Sequence, residues 1–582
     1  MSAVPPRPLL AVVCLAASTL CAGCAIVSVG KIPRQEGVYP AQTGPDTPLV
    51  LAIPGLRIPG LPVEQEQQFG FLVKMLAAEG IPCRVLAYDT VENPLISGAA
   101  LFASDLAIAW TRVGPAVVRE VQYENERRES LGLPPLRRLV LFGYSQGAVI
   151  MEQIACRVFF QLKRDYDAME ARFGEEWRAL RQDPEFQFLM TALDDFLVIR
   201  NIKIQRQREF RRDPELRQFY QRAEDKLHRR LNDFIAYLDD PSSAYPEIDR
   251  FEEPGTPRYP KRYRELRLCA HSLQHCSLEE RDRIRNFLID YAQYHDLLAL
   301  SPSFVSAAGS FFGSPRANEG MLLFKLFPVL RLFARRELTQ IAQTRIGTVY
   351  HLRNMEDLAR SNRDERYPLD PDNTLCIVGV NGPHGDGIVD QSSAHLSDHA
   401  FEIVKAPRRR GDPAAVLCRD RLPDLTVVPL RVMHFPERAL GGWGRRRFGA
   451  AYMEEENPAF DYLRRFLRGD WDGLRLALGR EEGSLRQFML TLAFEGEAWK
   501  SPSPRRRGQS RNIRVDGRYD NPADLIFTWT GHFTAPGEEM NLVGPETAEG
   551  TLTIEAAMPY GERLQVPFTV YPGCNSFVKI VH

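Results

Sequence analysis

The sequence predicts an α/β fold: a doubly wound, mostly parallel sheet with a large helical insertion, followed by a small sandwich-like all-β domain. Three observations predict it. Short apolar runs alternate with amphipathic helical spacings up to residue 155, and the alternation resumes after residue 345. Between them, residues 156–345 are rich in Arg, Glu, Asp, Phe and Leu at helical spacing, with little strand signal. After residue 480 the apolar runs shorten and are separated by Gly, Pro, Asn and Glu, the texture of a β-sandwich.

A length of 582 residues suits three or four domains. With 44% hydrophobic and 26% charged residues, the chain can bury sizeable cores. A net charge of -1 and a pI near 6.9 give no global field that would attract nucleic acid, so no nucleic-acid partner is expected.

The N-terminus reads as an export signal. Arg7 precedes an apolar run over residues 9–20, too short to span a bilayer and typical of a signal-peptide core. It ends in Leu20-Cys21-Ala22-Gly23-Cys24, which resembles a bacterial lipobox with Cys24 as the lipidated first mature residue. Cys21 stands where such motifs usually carry leucine. Residues 1–24 are thus the signal segment, and residues 25–47, with several Gly and Pro, are a tether. The resemblance implies a bacterial cell-envelope protein, lipid-anchored at the outer membrane or periplasmic face, or secreted. No later run reaches the length needed to cross a membrane.

Beyond Cys24 lie seven cysteines, Cys83, Cys156, Cys269, Cys276, Cys376, Cys418 and Cys574, and an odd number leaves at least one unpaired within the chain. Cys269 and Cys276 are the only two close in sequence. Cys83, Cys156 and Cys376 lie in apolar patterns and read as buried thiols. No spacing resembles a zinc site, and no metal or cofactor is expected.

Taken in order, Leu49-Val50-Leu51-Ala52-Ile53 is the first strand and ends at Pro54-Gly55-Leu56. Phe69, Leu72, Val73 and Leu76 repeat at helical spacing, and Gly80 stops that helix. Val85-Leu86-Ala87-Tyr88 is the next strand, residues 99–118 the next helix, and Leu139-Val140-Leu141-Phe142 a third strand. Within the insertion, residues 205–239 form a long charged helical stretch whose charges read as a solvated face. The phenylalanine-rich residues 304–333 have two readings, the core of the insertion or an apolar lid. Strands resume at Ile346-Gly347-Thr348-Val349-Tyr350, Leu375-Cys376-Ile377-Val378-Gly379-Val380 and Thr426-Val427-Val428-Pro429-Leu430. A helix opens at Asn457-Pro458, an N-cap with proline at the first helical position. One α/β domain is therefore split into residues 48–155 and 346–480, and residues 481–582 form the C-terminal β-domain.

The chemistry centres on Gly143-Tyr144-Ser145-Gln146-Gly147, placed between an apolar strand and a helical spacing. Glycines on both sides let strand and helix approach closely and push Ser145 out at the strand end, by the positive pole of the helix. This resembles the nucleophile elbow of the α/β-hydrolase superfamily, and its wording is similar to that of cutinases and related serine esterases. The resemblance implies an acid and then a histidine downstream. Gly385-Asp386-Gly387-Ile388-Val389 resembles the acid loop of bacterial lipases and selects Asp386, with Asp390 a weaker alternative; either could simply cap an Asx turn. His434, in Met433-His434-Phe435-Pro436 after the last strand, matches the base; His384, His395 and His399 follow the acid loop too closely. The oxyanion donors would be the backbone N–H groups of Gln146 and Leu56.

The resemblance implies a serine hydrolase that cleaves carboxylic esters, lipid-like ones given the membrane tether, through an acyl-enzyme built by Ser145, His434 and Asp386. Two alternatives stay open. One is an envelope lipoprotein that uses the scaffold for binding, its C-terminal β-domain meeting a protein partner. The other is an acyltransferase with the same three residues.

Overall fold

The computed structural model describes residues 43–55, 69–86, 104–173, 213–239, most of 290–314, residue 358, residues 369–380, most of 385–434, 459–478, most of 485–495, and the strands between 512 and 581. Residues 1–24, Leu56, His384, residues 321–333 and the strand expected at 346–350 lie outside them, as do Cys269 and Cys276. The chain divides into two compact units, one of Met1–Ala109, Arg128–Gln153 and Ser301–His582, the other of Trp110–Arg127 and Ile154–Leu300.

The first unit is built on six parallel strands: β1 (Leu49–Ile53), β2 (Cys83–Val85), β3 (Arg138–Tyr144), β4 (Ser301–Ala307), β5 (Thr374–Gly379) and, later in the chain, β8 (Thr426–Leu430). They lie side by side in the order β2-β1-β3-β4-β5-β8. Parallel neighbours need crossovers, and the crossovers cover both faces, which is why the inner strands β1, β3 and β5 are nearly continuous apolar runs and not alternating ones. All five residues of β1 are buried, as are six of the seven in β3. On one face α1 (Gly70–Ala78) contributes Leu72 and Leu76, and α6 (Ala459–Arg468) contributes Phe460, Leu463, Phe466 and Leu467. These spacings are the helical ones that the sequence shows. They pack on Val50, Ala52, Phe142, Val305, Ile377 and Val428 of the sheet. Trp471, at the start of α7 (Trp471–Leu478), meets Phe466 edge-on at 5.3 Å.

The fold class is therefore α/β, with a parallel central sheet and a separate strand-rich region. Two boundaries differ from the expectation. The strand beside β3 is β4, from a stretch that the sequence assigns to the insertion. Phe304 and Val305 are fully buried in the sheet, and Phe311 and Phe312 are buried just beyond it. The Phe311 N–H donates to the Ser393 carbonyl at 3.1 Å, and the Phe312 ring meets His399 edge-on at 4.7 Å. Residues 304–312 are thus neither lid nor insertion core. Ser301, Pro302 and Ser303 mask the strand by opening it with polar and imino residues.

The second difference concerns the C-terminal strands. β6 (Ala400–Lys405) and β7 (Ala415–Arg421), which precede β8, leave the central sheet. They join β9 (Gln487–Glu495), β12 (Met540–Glu546) and β15 (Asn575–Val581) in a five-stranded sheet ordered β12-β9-β15-β6-β7. In it β15 is parallel to both β6 and β9. A second, antiparallel sheet has β10 (Asn512–Tyr519), β11 (Ile526–His532), β13 (Gly550–Ala557) and β14 (Arg563–Val570) in the order β11-β10-β13-β14. β14 packs against β15, β6 and β9, so the two sheets meet there. The β-domain is not made of residues 481–582 alone.

The second unit is helical where described. It includes the middle of α2 (Ser104–Ser130), a π-helical segment over Ala155–Leu162, α4 (Lys163–Phe173) and α5 (Pro214–Asp239). Tyr166 stacks on Tyr291 at 5.8 Å, and Gln122 donates to the Asp296 carboxylate at 2.8 Å.

Candidate active site

β3 runs directly into α3 (Gln146–Ile154), and Ser145 is the single residue between them. Its φ of 53° lies in the left-handed region, a strained conformation for a residue with a side chain. Backbone bonds hold it there. The Ser145 N–H donates to the Ala307 carbonyl at 3.0 Å, and its own carbonyl accepts from Ala148 at 3.1 Å and Ser310 at 3.3 Å. The close approach needs the two flanking glycines. A Cβ on Gly143 would sit 2.4 Å from the Ala148 Cα, and one on Gly147 would sit 2.0 Å from the Ile53 carbonyl oxygen. The strand-turn-helix read from sequence thus folds as a sharp elbow, with Ser145 buried at the strand's C-terminal end.

Asp386 lies in the loop after β5. One carboxylate oxygen, Oδ1, accepts from the N–H groups of Ile388 at 3.0 Å and Val389 at 2.8 Å, an Asx turn. The other, Oδ2, is 2.7 Å from His434 Nδ1. Asp386 thus caps an Asx turn with one carboxylate oxygen and meets the His434 imidazole with the other. His434, beyond β8, also donates its backbone N–H to the Asp386 carbonyl at 2.9 Å. Both side chains are almost wholly buried. With Nδ1 engaged by the carboxylate, proton exchange with a serine falls to Nε2.

Tyr144 connects this pair to the elbow. Its hydroxyl donates to the His434 carbonyl at 2.7 Å, and its ring stacks on the imidazole with centroids 5.0 Å apart and planes at 29°. Burial, followed by the negative charge of Asp386, raises the phenol well above its ordinary pKa, so it stays a donor. The sequence reading names Tyr144 only as a member of the Gly143–Gly147 motif and gives it no role. Gly55 also touches the elbow: a Cβ on it would lie 2.9 Å from the Ser145 Cβ and 3.2 Å from the Tyr144 ring. The loop expected to supply the second oxyanion donor therefore begins against Ser145, while Leu56 itself is outside the described residues. Gln146 opens α3, where a helix leaves its first N–H groups unpaired.

Asp390 is buried and uses its carbonyl to accept from the Ser393 N–H at 3.0 Å. His395 and His399 are buried elsewhere and stacked on each other at 4.8 Å. His395 Nε2 donates to the Gly573 carbonyl at 2.8 Å, and His399 Nδ1 accepts from the Asn575 N–H at 2.7 Å. They fasten the loop after Asp386 to the start of β15. Among the described cysteines, Cys83, Cys376, Cys418 and Cys574 are free thiols, and burial pushes Cys83 and Cys574 up to about 12.

No protein-family model matches the chain, and no curated protein sequence matches it. Among solved structures, the chain is similar to phospholipase PlaB from Legionella pneumophila, at 8% identity over 92% of this chain and 93% of that one, with a TM-score of 0.43.

Proposed function

We propose that the protein is a serine hydrolase that cleaves carboxylic esters through an acyl-enzyme. The observation that carries this reading is the buried Asp386–His434 pair, 2.7 Å between Oδ2 and Nδ1, next to a serine held at a strained elbow through Tyr144. A serine hydroxyl is a weak nucleophile until a neighbouring base takes its proton, and the base must be held in one tautomer. Here Asp386 fixes the proton on His434 Nδ1, and Nε2 accepts the Ser145 proton as Oγ attacks the ester carbonyl. The oxyanion that forms is held by the Gln146 N–H at the positive end of α3, with Leu56 as the second donor. His434 then protonates the leaving alcohol, and water attacks the acyl-enzyme by the reverse path.

The lipid-like class of ester rests on the lipobox-like Cys24, which would hold the enzyme at a membrane face in the cell envelope. The test is hydrolysis of p-nitrophenyl butyrate and of a long-chain ester by the purified chain. Ser145→Ala is expected to reduce both rates to background; undiminished hydrolysis by that variant refutes the proposal.

A further inference from the structure

From the stacking and hydrogen bond between Tyr144 and His434 we infer that Tyr144 is a positioning residue: its hydroxyl locks the main chain of His434, and its ring face receives the imidazolium charge during catalysis. This rests on the reading of His434 as the base and deepens it.

Asp386 and Tyr144 converge on His434. Asp386 holds Nδ1, the Tyr144 hydroxyl holds the backbone carbonyl at 2.7 Å, and the Tyr144 ring covers the imidazole face at 5.0 Å. Tyr144 is covalently next to Ser145, so the residue that carries the nucleophile forward also sets the plane of the base. The ring is itself packed from behind, with Phe69 edge-on at 6.2 Å and the Gly55 backbone close enough that a Cβ there would stand 3.2 Å from the ring. One rigid side chain thereby ties together the elbow, the loop after β1 and the histidine.

The charge argument is differential. Stacking of a neutral imidazole on a phenol is ordinary aromatic contact. When His434 takes the serine proton it becomes a cation over the negative face of a desolvated ring, a contact stronger in the transition state than before it. Of the titratable groups around His434, Asp386 favours the same cation, and Tyr144 stays neutral because burial raises its phenol.

Two substitutions separate the parts. Tyr144→Phe keeps the face and removes the hydroxyl; Tyr144→Leu removes both. The His434 imidazole is titrated by NMR in a Ser145→Ala background, which needs no turnover, and kcat, KM and the pH profile are measured in the active background. In Tyr144→Leu the His434 pKa is expected to fall by about half a unit to one unit, and the acid limb of the rate profile moves with it. In the same variant kcat falls about tenfold or more while KM holds. Tyr144→Phe is expected to retain the pKa and to lose kcat by a smaller factor. A folded Tyr144→Leu whose imidazole titrates as in the parent overturns the inference, as does a Tyr144→Phe pKa that falls as far as that of Tyr144→Leu. If the wild type hydrolyses no ester, the proposed activity fails, while the NMR titration still decides whether Tyr144 tunes His434.

Discussion

Lowering the pH should loosen the fold at a specific place, the stacked pair His395 and His399. Both are fully buried, and both use the same tautomer. His395 donates from Nε2 to the Gly573 carbonyl at 2.8 Å and accepts the Ser397 N–H at Nδ1 at 3.1 Å. His399 donates from Nε2 to the His395 carbonyl at 2.7 Å and accepts the Asn575 N–H at Nδ1 at 2.7 Å. A second proton would have to go on Nδ1, against a backbone N–H in each case. Burial lowers His395 to about 4, opposed by its hydrogen bonds with Gly573 and Ser397 and then by the Asp424 carboxylate, and lowers His399 well below its ordinary value, helped by the charge of His395 and of Arg421. The unfolded chain takes these protons near pH 6.5, and the folded chain does not take the His395 proton until about pH 4. Between those values the unfolded state binds more protons, so stability falls as pH falls through the window. For His395 alone the loss from pH 7 to pH 5 is about 2 kcal/mol, and His399 adds to it in the same direction. Urea unfolding at the two pH values, in the wild type and in His395→Gln, measures it. Carboxylates contribute to both chains alike, so the difference between them is the reading. The variant should lose about 2 kcal/mol less on acidification. An identical pH dependence in both would refute the argument.

Asp386→Asn should leave the fold intact and reduce kcat by about 10³–10⁴-fold, because the amide no longer fixes the proton on Nδ1; stopped ester hydrolysis at saturating substrate reads this. Gly147→Ala places a methyl group 2.0 Å from the Ile53 carbonyl oxygen and 2.6 Å from that of Pro54, both backbone atoms. It should destabilise by about 1–3 kcal/mol or more in thermal melts and reduce activity by spreading β1 from the elbow. Phe311→Ala removes a ring that is 1% exposed and should cost about 3–5 kcal/mol. Rates on short and long esters should then fall together, whereas a lid residue would spare the short ones.

The elbow is legible in the sequence because its requirements are local. Gly143 and Gly147 have no room for a side chain, and an apolar strand on one side with a helical spacing on the other fixes where Ser145 emerges. Asp386 and His434 are legible for a related reason, since each follows an apolar run that reads as a strand of the parallel sheet, β5 inside it and β8 at its edge. What the sequence hides is pairing between distant segments. β4 opens with Ser301-Pro302-Ser303, and its two large residues merge by eye with the apolar run that follows. Its place is decided by β3 and β5 on either side. β6 and β7 look like loop between the acid and the histidine, because the strand that pairs with β6, β15, is the last in the chain. Position in the chain excludes His395 and His399 as bases, but nothing local shows that they clip β15 in place. Tyr144 reads only as the residue before the serine in the elbow motif until His434 is seen against its face.

The central claim, that Ser145 is a nucleophile activated by His434, is tested most directly by covalent labelling. The full chain is treated with a fluorophosphonate probe, and the modified peptide is mapped by mass spectrometry. The account predicts one equivalent of label on Ser145, lost in Ser145→Ala and strongly slowed in His434→Ala. A folded wild-type protein that takes no label, or one whose label persists undiminished in Ser145→Ala, would contradict it.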